Sequence, residues 1–409
     1  VESLLNEGGR MKSPEEVKKD IPFLSQYSFW ESTAVGPTLK PAIEAMVDYY
    51  YHRPFNFLVG DCQPALQANA QVRKATESIA KLIHADPEEI SLYPKNATEA
   101  IAMVIQGLSL KKGDEIIGSN VDHSAAYIPI LRLMHQKGIK FQMIKADPQG
   151  GVDLQEYKKR LTKKTKFISI CHASNIYGTI LDAKAICALA RENGVLTMLD
   201  AAQTVGRMPV NVKEIGCDFL IICGRKHLCG PQGTAALYVR KEVIDKLEPI
   251  ITGGGAAKLM GDFEYQLLPG MMRHNAGILN TSGVIGLGVA VDYWQEIGME
   301  TIRRHCVEMQ EKIFQGIEEL GSIIYSPREK ERQAGIISFL INGVDPDFLI
   351  RELEEKYRII IRSGSPGSPV FKELGVNKIN RVAPHYYSTK DDVAQLLRAM
   401  KEVRDKAGS

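Results

Sequence analysis

From about residue 75 to residue 245, amphipathic helical stretches alternate with short apolar, β-branched runs, and this alternation constrains the fold more than any other feature. It is the pattern of a mostly parallel sheet with helices on its faces, because each parallel connection must cross back over the sheet. The runs predicted as strands are residues 89–93, 115–118, 140–145, 166–171, 196–199, 218–223 and 235–239. Helices are predicted between them at 98–108, 124–137, 154–161 and 183–193. Ligands of such sheets collect at the carboxyl ends of the strands, so the polar residues just past those ends carry the functional reading. A break at Gly253, Gly254 and Gly255 and a loop at 268–277 precede a helical stretch around 283–310. The rest reads as a smaller α/β unit with strands at 335–341 and 359–362. The division expected is an N-terminal segment (1–30) packing with the small domain, a large domain (31–280) and a small C-terminal domain (281–409).

The most informative segment follows the buried run at 218–223, which ends in Cys223-Gly224-Arg225-Lys226 and a glycine-rich loop through Gly230 and Gly233. A lysine in that position can point into the cleft, and a neighbouring cation such as Arg225 favours a nucleophilic amine, as a Schiff-base lysine requires. Taken singly, it reads more readily as a surface lysine at a strand end. The run at 194–199 ends in Asp200-Ala201-Ala202-Gln203, a carboxylate able to pair with a pyridinium nitrogen or simply to cap a turn. Asn96, three residues before Glu99, starts a helix whose N-terminus, with Ala97 and Thr98, suits a phosphate or only an ordinary cap. His123 and Asn175 each follow a strand, one able to cover a flat ring and the other to bond a ring hydroxyl; each has an ordinary loop reading.

Charge narrows the partners. Lys+Arg 51 against Asp+Glu 49 leaves a net +2, so no global field calls for nucleic acid or a membrane surface, and a small-molecule substrate is expected. No apolar run reaches the roughly 18 residues of a membrane span, and the charged opening is unlike a secretory signal; a soluble, cytoplasmic protein is expected. The 7 cysteines are irregularly spaced, which suits reduced thiols, and no metal site is expected.

Together these segments resemble the class V aminotransferase family, which includes cysteine desulfurases, isopenicillin-N epimerases and the lyases of ergothioneine biosynthesis. The resemblance runs from Trp30 to Thr389 and rests on Asn96-Ala97-Thr98-Glu99, Asp122-His123-Ser124, Ser174-Asn175 with Gly178, Asp200-Ala201-Ala202-Gln203, Gly224-Arg225-Lys226 with Gly230-Pro231, and Arg381 with Tyr387-Ser388-Thr389. It implies an α/β fold of type I, aspartate-aminotransferase-like, with a mixed, mostly parallel seven-stranded sheet, and pyridoxal 5′-phosphate as cofactor. By the same resemblance Lys226 holds the cofactor and shuttles protons, Asp200 holds the ring nitrogen and His123 stacks on the ring. Asn175 and Gln203 contact a ring oxygen or the substrate. Ala97 and Thr98 take the phosphate, Arg381 binds the substrate carboxylate, and a homodimer is implied, with residues 273–277 reaching the neighbour's phosphate.

Three departures from the desulfurase pattern stand out. Cys223 and Arg225 replace the usual serine and histidine, which alters the phosphate contacts, and one extra residue separates Lys226 from Gly230, as in the epimerase and lyase branch. The loop that carries a desulfurase's reactive cysteine reads Arg362-Ser363-Gly364-Ser365-Pro366-Gly367-Ser368-Pro369, with no thiol, and Cys229 is the one substitute considered. The expected reaction is therefore carbon–sulfur lysis of cysteine or an S-substituted cysteine through a Cα carbanion. An aminotransferase or epimerase, or a desulfurase using another thiol, is the alternative.

Overall fold

The computed structural model describes residues 11–55, 60–364 and 369–407. The strands are β1 (Ser28–Phe29), β2 (Ile90–Ser91), β3 (Glu115–Ser119), β4 (Lys140–Ile144), β5 (Thr165–Cys171), β6 (Leu196–Asp200), β7 (Phe219–Cys223), β8 (Ala235–Val239), β9 (Ala257–Leu259), β10 (Tyr265–Leu267), β11 (Ser322–Ile324), β12 (Ile337–Ile341), β13 (Ile359–Ile360), β14 (Arg362–Ser363) and β15 (Asn380–Val382).

The main sheet has seven strands in the order β2-β8-β7-β6-β5-β3-β4. Strands β3 to β7 are parallel, and β8 runs antiparallel to both β7 and β2. This is the mostly parallel α/β sheet that the alternation predicts. Because helices cover both faces, strand residues on either side of the pleat are apolar. Phe219 and Ile221 join one core with Ile101, Val104 and Ile130, while Leu220 and Ile222 join the other with Ile186 and Ala190. Strand β4 lies on one side of β3 and β5 on the other, so the winding direction reverses between β3 and β5. A crevice opens at such a point, outside the carboxyl ends of the strands.

A second sheet, β11-β12-β15-β14, is antiparallel. Strand β1 pairs in parallel with β13, and Trp30 is buried in the same core as Ile313 and Phe339. The structure departs from the sequence reading in places. The stretch at 283–310 is two helices, Thr281–Ile297 and Met299–Glu319, separated by Gly298 at φ 87°, which glycine adopts without strain. The strand expected at 359–362 is divided between β13 and β14, which pair with β1 and β15 respectively. The glycine-rich break carries an unexpected hairpin, β9–β10, and the first sheet strand is only Ile90–Ser91, with Glu89 taken into the helical turn Pro87–Glu89.

Asp218, buried just before β7, ties three strands together below the crevice. It accepts from the Thr197 amide at 2.8 Å and from Arg240 Nε and Nη2 at 3.0 and 2.6 Å. Removing that carboxylate leaves the Thr197 amide unpaired in the interior, so Asp218→Ala is expected to lower the unfolding free energy by about 2–4 kcal/mol. Urea unfolding checks this: the midpoint falls with the slope unchanged, and an unmoved midpoint contradicts it.

Candidate active site

A cavity of about 470 Å³ lies at the carboxyl edge of the main sheet. Every residue the sequence reading named for the site, from Ala97 and Thr98 through His123, Asn175, Asp200, Gln203, Cys223, Arg225 and Lys226 to Arg381, lines it. All but Arg381, which comes from β15 of the second sheet, follow or end strands of the main sheet, and the sheet's register brings those ends to one edge.

Lys226 sits in a turn directly after β7. The turn is closed by the Cys229 amide on the Lys226 carbonyl at 3.0 Å, with Cys229 at φ 50°. The N-terminal segment is fastened to this turn at several points. The Gly36 amide donates to the Arg225 carbonyl at 2.6 Å, the Leu39 amide to the Cys229 carbonyl at 3.1 Å, and Arg225 Nη1 to the Ala34 carbonyl. Gly36 permits this approach, since a Cβ there would overlap the Lys226 carbonyl oxygen.

Asp200 is the last residue of β6, buried, in register with Cys171 on β5, and its Oδ1 accepts from the Ala202 amide at 3.1 Å. His123 caps the helix Ser124–Lys137, its Nδ1 accepting from the Ala125 amide at 3.1 Å, which puts the proton of the neutral ring on Nε2. Burial and the nearby Lys226 cation lower its pKa, with Asp200 opposing, so the ring is neutral at neutral pH. Asn96 caps the helix Ala97–Gly107 through the Glu99 amide at 2.9 Å. The returning contact of Glu99 goes to the Lys95 amide at 2.7 Å rather than to Asn96, so the expected capping box is displaced by one residue. The helix dipole and the first-turn amides at Ala97 and Thr98 suit an anion.

Arg381, on β15, donates from Nη1 to the Asn175 carbonyl at 2.7 Å and pairs through Nη2 with Glu31 at 3.1 Å. Glu31 also accepts from Thr33 Oγ1 at 2.7 Å, and burial raises its pKa despite Arg381. Residues 365–368 of the loop after β14 lie outside the described residues.

Several lining residues escaped the sequence reading: Thr33, Ala34, Asp122, Cys171, Arg362 and Phe371. Thr33 and Ala34 follow β1, a two-residue strand with no local sequence signal, and only the start of the resemblance at Trp30 points to them. Asp122 was legible as the residue before His123. Its Oδ1 accepts from Ser119 Oγ at 2.8 Å, and burial pushes its pKa up to about 7, with the Ser119 and Ser169 hydroxyls opposing.

The sequence model described as aminotransferase class-V matches residues 28–396. The chain belongs to that family. It is 33% identical over 394 residues to a probable cysteine desulfurase of Methanothermobacter thermautotrophicus, covering 95% of this chain and 98% of the relative. A probable cysteine desulfurase of Pyrococcus abyssi is 33% identical over 396 residues, covering 96% and 98%. The apo structure of a cysteine desulfurase from Thermococcus onnurineus superposes with a TM-score of 0.93 at 33% identity, covering 97% of this chain and 99% of that one. The family is one of pyridoxal-phosphate enzymes, and this chain is one of them. The cavity's donor set fits that cofactor: a helix start for a phosphate, a lysine for an aldehyde, a buried carboxylate for a ring nitrogen and a neutral imidazole beside them.

The Asp122 proton yields a pH test. Its carboxyl keeps its proton in the native state between about pH 4 and about pH 7, where the unfolded chain has lost it, so unfolding free energy falls as pH rises through that window. Asp122→Asn removes this dependence. The variant's stability relative to the parent chain is expected to rise by roughly 2–4 kcal/mol from pH 4 to pH 7. Urea titrations of both apo proteins across that range measure it, and parallel pH profiles contradict it.

Proposed function

We propose that the enzyme cleaves the carbon–sulfur bond of cysteine or an S-substituted cysteine by β-elimination, without a protein persulfide. One observation carries the reading: the cavity gathers Lys226, Asp200, His123 and Arg381 but offers no accessible thiol among the described residues. Cys171 and Cys223 line it yet are buried, and burial followed by Asp200 pushes the Cys171 thiol well up. Cys229 is fully buried behind the Lys226 turn, and burial raises its thiol strongly, so it is poorly suited to replace a loop nucleophile. Residues 362–369 contain no cysteine.

Bound pyridoxal 5′-phosphate supplies an aldehyde for the substrate amine and a ring that withdraws electrons released at Cα. Ala97 and Thr98 take the phosphate at the helix start, with Arg225 adding a fixed positive charge and Cys223 part of the wall. The Asp200 carboxylate holds the ring nitrogen protonated. His123 covers the ring face, and Asn175 and Gln203 contact a ring oxygen or the substrate. Arg381 takes the substrate carboxylate, which requires that its guanidinium be shared with or released from Glu31. Lys226 Nζ removes the Cα proton, and the β-sulfur leaves as a thiol. Cysteine and water then become hydrogen sulfide, pyruvate and ammonia.

The relatives' names favour a second reading, desulfuration through a thiol elsewhere, for which Cys62 is the exposed cysteine among the described residues. The two differ in product. With cysteine as substrate, pyruvate is expected as the main carbon product, and Cys62→Ser is expected to leave turnover within a few-fold. Lys226→Ala is expected to lose roughly a thousandfold or more in rate. Alanine as the main product, with a persulfide on any cysteine, contradicts the elimination reading.

We also propose a homodimer. The β9–β10 hairpin exposes Leu259, Met260 and Tyr265, with Phe263 99% exposed at its tip, and Tyr50 and Tyr51 are exposed on the helix Lys40–His52. Apolar surface of this extent usually meets a partner. Arg273 is held by Asp245 at 2.9 Å, so the approach of residues 273–277 to a neighbour rests on the backbone and the residues beside it. Sedimentation is expected to give a dimer, and Phe263→Asp to shift it towards monomer; a monomeric parent chain contradicts this.

A further inference from the structure

Gln203 lines the cavity with both ends of its amide engaged. Its Nε2 donates to the Thr33 carbonyl at 3.0 Å, and its Oε1 lies 3.0 Å from His227 Nε2. His227 Nδ1 in turn lies 3.4 Å from Arg207 Nη1. Arg207 and His227 are both 0% exposed.

Arg207 is an unusual residue to bury. It pairs with no carboxylate among the described residues; its Nη2 bonds the Gly335 carbonyl at 2.8 Å and also the Pro384 carbonyl. Burying an unpaired guanidinium is costly, and a neutral side chain would avoid the cost. A guanidinium differs from neutral polar groups in one respect that matters here: it only donates and does not lose its proton. His227 Nδ1 beside it must therefore accept, which places the ring proton on Nε2. That N–H in turn requires the oxygen end of the Gln203 amide. Thr33 imposes the same orientation from the other side, because a carbonyl only accepts. The ring is kept neutral by burial and by the Arg207 cation, which together hold its pKa well below the usual value. His385, stacked on His227 with ring centroids 6.0 Å apart, contacts the His227 carbonyl at 2.9 Å and so leaves the Nε2 proton to Gln203.

We propose that Arg207 and His227 form a relay of fixed polarity whose purpose is to present the second N–H of the Gln203 amide to the cofactor's ring oxygen. His227 is thus a positioning residue, acting through Gln203 and not by contact. The proposal rests on the pyridoxal-phosphate site described above, with Gln203 at the ring oxygen. The same relay reaches Pro384, three residues beyond Arg381, so the ring-side contact and the strand bearing the carboxylate arginine share one buried cation.

The test is a double-mutant cycle read from the bound cofactor's absorption band and its dissociation constant, with thermal unfolding of each apo variant as the check on folding. His227→Leu removes the donor, and Gln203→Leu removes its acceptor. Each single variant is expected to weaken cofactor binding by about tenfold, as for loss of one buried hydrogen bond, and to shift the band. In the Gln203→Leu background, His227→Leu is expected to add nothing to either readout. His227→Gln, which can accept from Arg207 and donate to Gln203, is expected to restore the band. Additive effects of the two substitutions, or an unmoved band in either single variant, overturn the relay while leaving the cofactor site intact. Failure of the parent chain to bind pyridoxal phosphate would instead remove the site on which the relay depends.

Discussion

A guanidinium buried at the edge of the main sheet has to find its partners inside the protein, and the way Arg381 does so organises the rest of the structure. Its two terminal nitrogens reach the Asn175 carbonyl beyond β5 and the Glu31 carboxylate in the N-terminal segment, while its backbone belongs to β15 of the second sheet. Three stretches remote in sequence are thereby held around one cavity wall. Desolvation makes such a pair expensive to assemble and expensive to break from one side. The pairing also keeps a desolvated guanidinium at the cavity wall.

The segment between Glu31 and Leu39 continues this arrangement by running over the Lys226 turn. Its amides satisfy carbonyls of the turn, its Ala34 carbonyl accepts from the Arg225 side chain, and its one glycine at the point of contact allows the two segments to touch. The lysine is therefore fixed from both sides, by β7 below and by this segment above. On the function proposed above, preorganisation of that kind lets the lysine act without first ordering itself.

How much of this was legible in the sequence follows from the range of each interaction. The parallel sheet, its order of strands and helices, and the strand-end positions of Asp200, Lys226, His123 and Asn175 rest on local periodicity and on motifs a few residues long, and the structure places all four around the cavity. Thr33, Ala34 and Glu31 act through contacts with residues more than a hundred positions away, and no local pattern marks them. Gly298 was missed for a different reason: the apolar periodicity continues on both sides of it, and only its left-handed backbone separates the helices. The division of β13 from β14 was likewise invisible, because two adjacent short runs of one sequence are recruited by different neighbours.

The whole account turns on Lys226 being the residue that carries the cofactor. Reconstitution with pyridoxal 5′-phosphate, borohydride reduction and peptide mapping by mass spectrometry test this without reference to any substrate. A single pyridoxyl adduct on Lys226 is the predicted result. An adduct on another lysine with Lys226 unmodified, or no stable adduct in the folded protein, would contradict it.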